Sequence, residues 1–132
     1  MFLSELSKEE QKVFLDLAHT MIYADEVLTQ EETVAMELYE KECDVSISDA
    51  KIVDFEKTLL YFKDKPQVMK NKIFVELLGL ALIDDDFAIE ERNTIEIAEK
   101  VLGISPKKRD ELIELLNETK KVYVNINRWL LE

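Results

Sequence analysis

Carboxylates at two predicted helix junctions are the residues in this chain best suited to chemistry. Residues 82–91 read LIDDDFAIEE, and residues 24–32 read ADEVLTQEE. In each stretch an aspartate is followed seven residues later by a glutamate that opens the next helix. Ca²⁺ and Mg²⁺ prefer carboxylate oxygens, so a bound cation would relieve the repulsion between these crowded acids. The candidate metal ligands are Asp84, Asp86, Glu91, Asp25 and Glu32.

The same acids have a purely structural interpretation. Glu32 and Glu91 fall in the first turns of predicted helices, where the helix dipole and capping favour negative charge. Aspartates are common in interhelical loops because they form turns and caps. An EF-hand is excluded, because counting from Asp84 its loop requires glycine and glutamate where this chain has Ile89 and Ile95. The prediction therefore concerns a cation site of another kind, and the structural interpretation stays open beside it.

Groups that commonly serve as catalytic nucleophiles or bases are few. The only histidine, His19, lies within an amphipathic segment, where we expect a partly buried imidazole hydrogen-bonded to a neighbour. The only cysteine, Cys43, excludes an internal disulfide and is expected to be a small packed thiol. No glycine-rich phosphate loop is present. A metal-dependent hydrolase that uses Asp84 and its neighbours stays an alternative, which a substrate pocket beside Asp84 would favour.

The charge balance constrains the partners. The chain has 132 residues and a formal net charge of −12. Phosphate backbones and anionic lipids repel such a surface, so we expect neither nucleic acid nor membrane as a partner. A cation or a protein with a basic surface is the expected counterpart. The N-terminus lacks a signal-peptide pattern, and the run IFVELLGLALI is shorter than the roughly 20 residues of a membrane span. These features predict a cytoplasmic protein.

Apolar residues recur at helical spacing, and only two glycines and two prolines interrupt the chain, which predicts an all-α protein. Helices are predicted over about 7–24 and 30–42, each opened by an S/T-x-x-E capping box. Ser48 is predicted to cap a third, and Pro66 to lie in the first turn of a fourth. Residues expected to face the core in the first three are Val13, Phe14, Leu17, Ala18, Met21, Ile22, Val34, Ala35, Leu38, Tyr39, Ile52, Phe55, Leu59 and Phe62.

Three further helices are predicted towards the C-terminus. One covers about 89–102 and stops at Gly103, a residue suited to a C-cap. Ser105 and Pro106 start the next, and residues 118–131 form the last. In the former, Leu112, Ile113 and Leu116 are expected to face inward. In the latter, Val122, Ile126, Trp129 and Leu130 share one face, and Trp129 is expected to belong to the core.

The two acidic stretches belong to an internal repeat. The aligned pairs are Asp25 with Asp84, Leu28 with Phe87, Glu31 with Glu90 and Glu32 with Glu91. Repeat one spans about 10–62 and repeat two about 66–118, followed by the C-terminal helix at about 118–131. Because neither unit could bury its apolar face alone, we predict a single domain over residues 1–132. It would be a compact bundle of six or seven short helices built from two pseudo-symmetric helix–loop–helix repeats.

The repeated motif resembles the signature of the TerB-like family of tellurite-resistance proteins, approximately A-D-G-E-[apolar]-x-x-x-E after an apolar helix. Residues 24–32 and residues 83–91 (IDDDFAIEE) are the two copies in this chain. Both depart from the signature at its glycine, which is Glu26 in the first copy and Asp85 in the second. The first copy also has Val27 in place of the acidic residue after that glycine.

The resemblance implies a seven-helix bundle, an association with tellurite resistance and bacterial stress responses, and an acidic site for divalent cations. We therefore expect a non-enzymatic binding or scaffolding module, with Ca²⁺ or Mg²⁺ in the acidic interhelical loops. Two alternatives stay open. One is the metal-dependent hydrolase that uses the same acids, and the other is a metal-free acidic adaptor that docks a basic protein partner.

Overall fold

Helices account for most of the chain. The computed structural model describes residues 1–23, 29–46, 50–83 and 89–132, and for residues 89–91 it describes the backbone alone. The helices are α1 (Lys8–Ile22), α2 (Gln30–Glu42), α3 (Phe55–Leu59), α4 (Gln67–Ala81), α5 (Ile89–Leu102) and α6 (Pro106–Leu131), with short 3-10 helices at Leu3–Glu5 and Leu60–Phe62. These ranges contain no β-strand, and the predicted all-α bundle is confirmed.

The first two helices begin where the capping boxes predict. The Glu10 backbone N–H donates to Ser7 Oγ at 3.1 Å, and the Ser7 N–H donates to Glu10 Oε1 at 2.8 Å. Thr29 and Glu32 form the same reciprocal pair, with both distances at 3.1 Å. Each box satisfies two backbone donors that the helix itself leaves unpaired. The predicted starts of α1 and α2 are therefore confirmed.

Helix α4 lies at the centre of the core. It packs most extensively against α5 and also contacts α1 and α6. On α1, Phe14 is fully buried, and its ring meets Tyr39 of α2 edge to face with centroids 5.4 Å apart. The buried residues of α4 cover a wide arc of the helix, which lets several neighbours pack on it at once. They are Ile73, Phe74, Glu76, Leu77, Leu78, Leu80 and Ala81.

Helix α2 is rotated relative to the prediction. Val34 and Leu38, predicted to face the core, are exposed on its outer side. The inward positions are Glu32, Ala35, Met36 and Tyr39, which follow the i, i+3, i+4, i+7 spacing of one helix face. The buried carboxylate of Glu32 occupies an inward position because it caps the helix, and this displaces the apolar pattern on which the prediction relied.

The third helix is shorter than predicted. Ser48, its predicted cap, lies outside the described residues, and Ile52 is exposed and outside any helix. The helix begins at Phe55, where Asp54 Oδ1 accepts the Lys57 backbone N–H at 3.0 Å. Asp54 is a strong N-cap residue in its own right, so it sets the start of α3.

Side chains of α1 hold the segment that leads into α3. The backbone N–H groups of Asp44, Lys51 and Val53 donate to α1 side chains at 2.9, 3.1 and 3.0 Å. The acceptors are Gln11 Oε1, Asp16 Oδ1 and Thr20 Oγ1. Buried Gln11 also donates from Nε2 to the Leu3 carbonyl at 2.9 Å. These bonds satisfy three backbone N–H groups that lie outside any helix or strand and so have no backbone partner of that kind.

The turn between α5 and α6 depends on Gly103, as predicted. Gly103 has φ +70°, and the Ile104 N–H donates to the Glu99 carbonyl at 2.9 Å, as in a Schellman motif. Ser105 then caps α6 by accepting the Lys108 N–H at 3.1 Å. Pro66, by contrast, is the N-cap residue of α4 rather than a member of its first turn.

Helix α6 differs most from the prediction. The sixth helix and the segment 118–131 form one continuous helix of 26 residues. Among the helices of the described residues, none combines the length and apolarity that crossing a membrane requires. The two helix pairs of the proposed repeat, α1 with α2 and α4 with α5, have similar lengths. Their pseudo-symmetry stays a prediction.

Candidate functional site

The structure describes the side chain of one predicted cation ligand. Asp25, Asp84 and Asp86 lie outside the described residues, and the Glu91 side chain lies outside them too. Glu32 is buried, and its Oε1 accepts a backbone N–H at the start of α2 at 3.1 Å. Within the described ranges, no three His, Cys, Asp or Glu residues are grouped so that they could hold a metal ion. Glu32 thus serves as a helix cap, and the cation site stays a prediction.

The single histidine and the single cysteine lie on different elements. His19 is half-buried on α1, and its ring packs on Tyr23 with centroids 4.5 Å apart. Cys43 follows α2 and is buried, as predicted. Burial first, then the carboxylates of Glu42 and Glu76, raise the pKa of the Cys43 thiol to about 11. The thiol is therefore protonated at neutral pH, which makes it a poor nucleophile.

Glu42 and Glu76 anchor the N-terminal segment. Glu76 Oε1 accepts the Phe2 backbone N–H at 2.6 Å. The two carboxylates also pair with the Met1 ammonium at 3.0 and 2.8 Å. Burial, reinforced by both carboxylates, raises the pKa of Tyr39 far above its ordinary value. Since buried Glu76 and half-buried Glu42 both have partners, the cluster anchors the N-terminal segment to the fold.

Within the described ranges, more of the exposed large apolar side chains lie on α6 than on any other helix. Residues 117–131 of the helix, called here the distal half, are all exposed. Five of its seven apolar side chains fall on one face, in rows that recur every seven residues, whereas exposed Val124 and Leu131 lie on the opposite side. Six side chains, called here the α6 stripe, have exposed fractions between 48% and 73%: Leu115, Val122, Tyr123, Ile126, Trp129 and Leu130. Contiguous apolar surface of this kind marks an interaction site.

The prediction that Trp129, in the segment 118–131, belongs to the core is wrong. Val122, Ile126, Trp129 and Leu130 are exposed. They share one face, as their helical spacing predicts. The helix, however, continues from Pro106 without a turn that could fold its second half back onto the core. A straight helix of this length extends about 39 Å, so its second half runs beyond α4 and α5. Only Leu112, Ile113 and Leu116, near its base, pack against the core, as predicted.

A small groove lies at the base of α6, where it meets α4. The groove encloses about 180 Å³. Its residues are Asn71, Phe74, Val75, Ile104, Lys108, Glu111, Leu112 and Leu115. The residues that α6 contributes follow the i, i+3, i+4, i+7 spacing that continues the α6 stripe towards the body. The groove is smaller than the roughly 300–1,000 Å³ of small-molecule sites, and its size suits a single side chain.

A second, more polar groove lies between α5 and α6. Its main feature is the ion pair in which Arg109 Nη1 donates to both oxygens of Glu99 at 3.0 and 3.3 Å. The hydrogen bonds that Arg109 donates to Glu99 and Asp110 raise its pKa. Because Glu99 is almost fully buried, the pair fixes the first turns of α6 against α5. The groove therefore positions α6 and leaves its stripe free.

Comparison with known proteins adds no relative. Neither a family model, nor a curated protein, nor a solved structure matches this chain. The geometry of the α6 stripe and the charge of the chain therefore carry the functional conclusion.

Proposed function

We propose that the protein is a non-enzymatic binding or scaffolding module that engages a protein partner through the α6 stripe. The observation that carries this proposal is the exposure of six large apolar side chains on one face of a helix that stands beyond the core. Scattered surface apolar residues need no explanation, but a contiguous row on a soluble domain favours an interface.

The energetics of the distal half also support a partner. An isolated helix of about 12–15 residues is marginal in water, because most helix stability in proteins comes from packing an amphipathic face. The distal half has an amphipathic face but contributes no buried residue. A partner that covers the stripe would supply the missing packing. Trp129 and Tyr123 are the residue types that most often dominate binding energy at interfaces.

Site-specific photo-crosslinking in the native host tests this proposal. A photo-crosslinking amino acid would replace Ile126, in the stripe, or Asn117, on the opposite face of the same helix. We expect protein adducts from position 126 and not from position 117. Equal adduct yields from the two positions, or none from either, would overturn the proposal.

The second candidate function is the divalent-cation site that the resemblance to TerB-like proteins implies. The repeated aspartate–glutamate spacing favours it, with Asp84, Asp86 and Glu91 as the richer set and Asp25 and Glu32 as the poorer one. The described role of Glu32 as a cap weighs against its release for a metal. The link to tellurite resistance and stress responses is part of this candidate.

Thermal unfolding of chelator-stripped protein tests the cation site. A ligand present at a hundred times its dissociation constant stabilises a fold by about 2.7 kcal/mol. We expect a saturable rise in Tm with one of Ca²⁺, Mg²⁺ and Mn²⁺ at constant ionic strength. The rise should be absent from the double variant Asp84→Asn, Glu91→Gln. Equal rises in Tm with all three cations would indicate screening of excess charge and would overturn the proposal of a specific cation site.

A further inference from the structure

We infer that the partner of the α6 stripe is the same stripe of a second copy of this chain, with the two α6 helices paired antiparallel. This inference rests on the proposed function, because it names the partner of the same surface. Four features support it: the repeat of the stripe, its area, the groove at its base and the charge of the chain.

The repeat of the stripe fits a partner helix. Two rows of residues recur at intervals of seven, as at the a and d positions of a coiled coil. The a row is Leu112, Thr119 and Ile126, and the d row is Leu115, Val122 and Trp129. Leu116, Tyr123 and Leu130 widen the stripe on one side. A repeat of seven keeps the apolar seam facing one neighbouring helix along its whole length.

The area of the stripe is close to what a stable dimer needs. From their exposed fractions, the six side chains present an apolar area of roughly 700 Å². A standard protein interface buries about 800 Å² on each partner. Flanking residues of the two helices would supply the remainder, so an isologous pair of stripes reaches the standard size without help from the body.

An antiparallel pair also fills the groove at the base of α6. When a residues of one helix face d residues of the other, Thr119 lies opposite Val122 and Leu115 opposite Ile126. Trp129 of each copy then lies opposite Leu112 of the other copy. Leu112 lines the 180 Å³ groove. Glu111 at the same groove offers an acceptor for the indole N–H. An aromatic side chain held in a pocket is typical of residues that dominate binding energy.

The charge distribution favours the antiparallel orientation over a parallel one. Residues 1–116, the body, hold 27 acidic and 14 basic residues, a net charge of −13. Residues 117–131 hold three basic residues and one acidic residue. A parallel pair would bring two acidic bodies side by side, whereas an antiparallel pair places them at opposite ends of the seam. The same acidic body opposes docking of the stripe on anionic lipid.

Sedimentation velocity over a range of concentrations tests the self-association. We expect a reversible dimer for the wild-type chain and at least about tenfold weaker association for Ile126→Asp, since a charge would be buried in the seam. Asn117→Asp adds the same charge on the face opposite the seam and should leave the dimer intact. Residue 126 makes no core contact, so both variants should keep the wild-type Tm under dilute conditions. A wild-type monomer throughout, or equal effects of both variants, would overturn the inference.

Fluorescence of Trp129 gives a second readout, because it is the only tryptophan in the chain. Its emission should shift to the blue as the protein concentration rises, since the indole leaves water for the partner's groove. The same titration with phosphatidylserine vesicles at low protein concentration should leave the emission unchanged. A shift caused by the vesicles and not by concentration would overturn the inference in favour of a membrane partner.

Disulfide trapping tests the orientation. Two preparations, Leu115→Cys and Ile126→Cys, would be oxidised separately and after mixing, with the wild-type chain as the control for buried Cys43. We expect a covalent dimer mainly in the mixture. Efficient cross-linking of Ile126→Cys alone would mean a parallel pair and would overturn the antiparallel arrangement.

The photo-crosslinking experiment separates this inference from the proposed function on which it rests. Adducts from position 126 at twice the mass of the chain support both. Adducts at other masses only would preserve the binding module and overturn the second copy as its partner.

Discussion

Helices α4 and α6 are both rich in apolar residues at helical spacing, yet their surroundings are opposite. The buried residues of α4 extend over a wide arc, and α1, α5 and α6 all pack against it. Most apolar residues of α6, Val124 and Leu131 excepted, form a narrower row, and no residue of this helix is fully buried. A wide arc requires several neighbours and thus a core, whereas a narrow row with a period of seven needs one partner helix. The distribution of apolar residues around a helix therefore tells more about its role than their number.

The largest expected effect comes from truncating one aromatic residue in each helix. Phe74 of α4 is almost completely buried, so Phe74→Ala should lower the free energy of unfolding by about 3–5 kcal/mol through lost burial and the cavity left behind. Trp129→Ala, in α6, should change it by less than about 0.5 kcal/mol in dilute solution. Urea denaturation followed by circular dichroism measures both. A loss from Trp129→Ala comparable to that from Phe74→Ala would show that α6 belongs to the core after all.

The two glycines should respond to alanine in opposite directions. Gly103, in the turn that leads into α6, has φ +70°, and Gly103→Ala should cost about 1–2 kcal/mol from backbone strain. Gly79 lies within α4, and an added Cβ would meet no atom within 4 Å. Gly79→Ala should therefore stabilise the fold by about 0.5–1 kcal/mol, because alanine loses less entropy in a helix. Thermal unfolding of both variants measures the difference, and a shared sign would contradict the comparison.

The smallest expected effect concerns a charge that ties α1 to the start of α4. Burial opposes ionisation of Glu10, but hydrogen bonds from Ser7 and the contact with Lys65, at 3.4 Å, outweigh it and lower the pKa of Glu10. A lowered pKa stabilises the fold above the unfolded-state value, 4.5, and this contribution is lost as the pH falls through the folded-state value.

Glu10→Gln should accordingly cost about 0.5–1 kcal/mol at pH 7. Its difference from the wild-type chain should shrink as the pH falls below about 4. Exposed Glu37 is the matched control, and Glu37→Gln should change the unfolding free energy little at any pH. Denaturation at several pH values measures both variants. A pH-independent difference for Glu10→Gln would show that the ionised carboxylate is not what stabilises the start of α1.

Local signals made much of the fold predictable from sequence. The capping boxes at Ser7 and Thr29 and the C-cap at Gly103 each depend on a few neighbouring residues, and all three are confirmed. The predictions that are wrong concern features that tertiary packing determines, such as which face of a helix is buried. The rotation of α2 follows from the inward position of the Glu32 carboxylate, and periodicity alone treats such a residue as solvent-facing.

The candidate site was harder to predict for a related reason. Periodicity correctly placed Val122, Ile126 and Trp129 on one face, but it cannot say whether the chain itself or a second molecule covers that face. The discriminating signal is the uninterrupted helix after Pro106, since no glycine, proline or cap follows to turn the chain back towards the core. The predicted cation ligands in the acidic loops stay a prediction.

Side chains of α1 protect three backbone amides that precede α3, a role that a neighbouring strand plays in a β-sheet. Amide protons of Asp44, Lys51 and Val53 are shielded from solvent exchange by side chains, not by a neighbouring strand. Gln11 and Asp16 are buried on α1 and Thr20 is half-buried, so the packing of α1 holds the three acceptors in place. We therefore expect the three amides to exchange slowly, at rates set by the opening of their hydrogen bonds to α1.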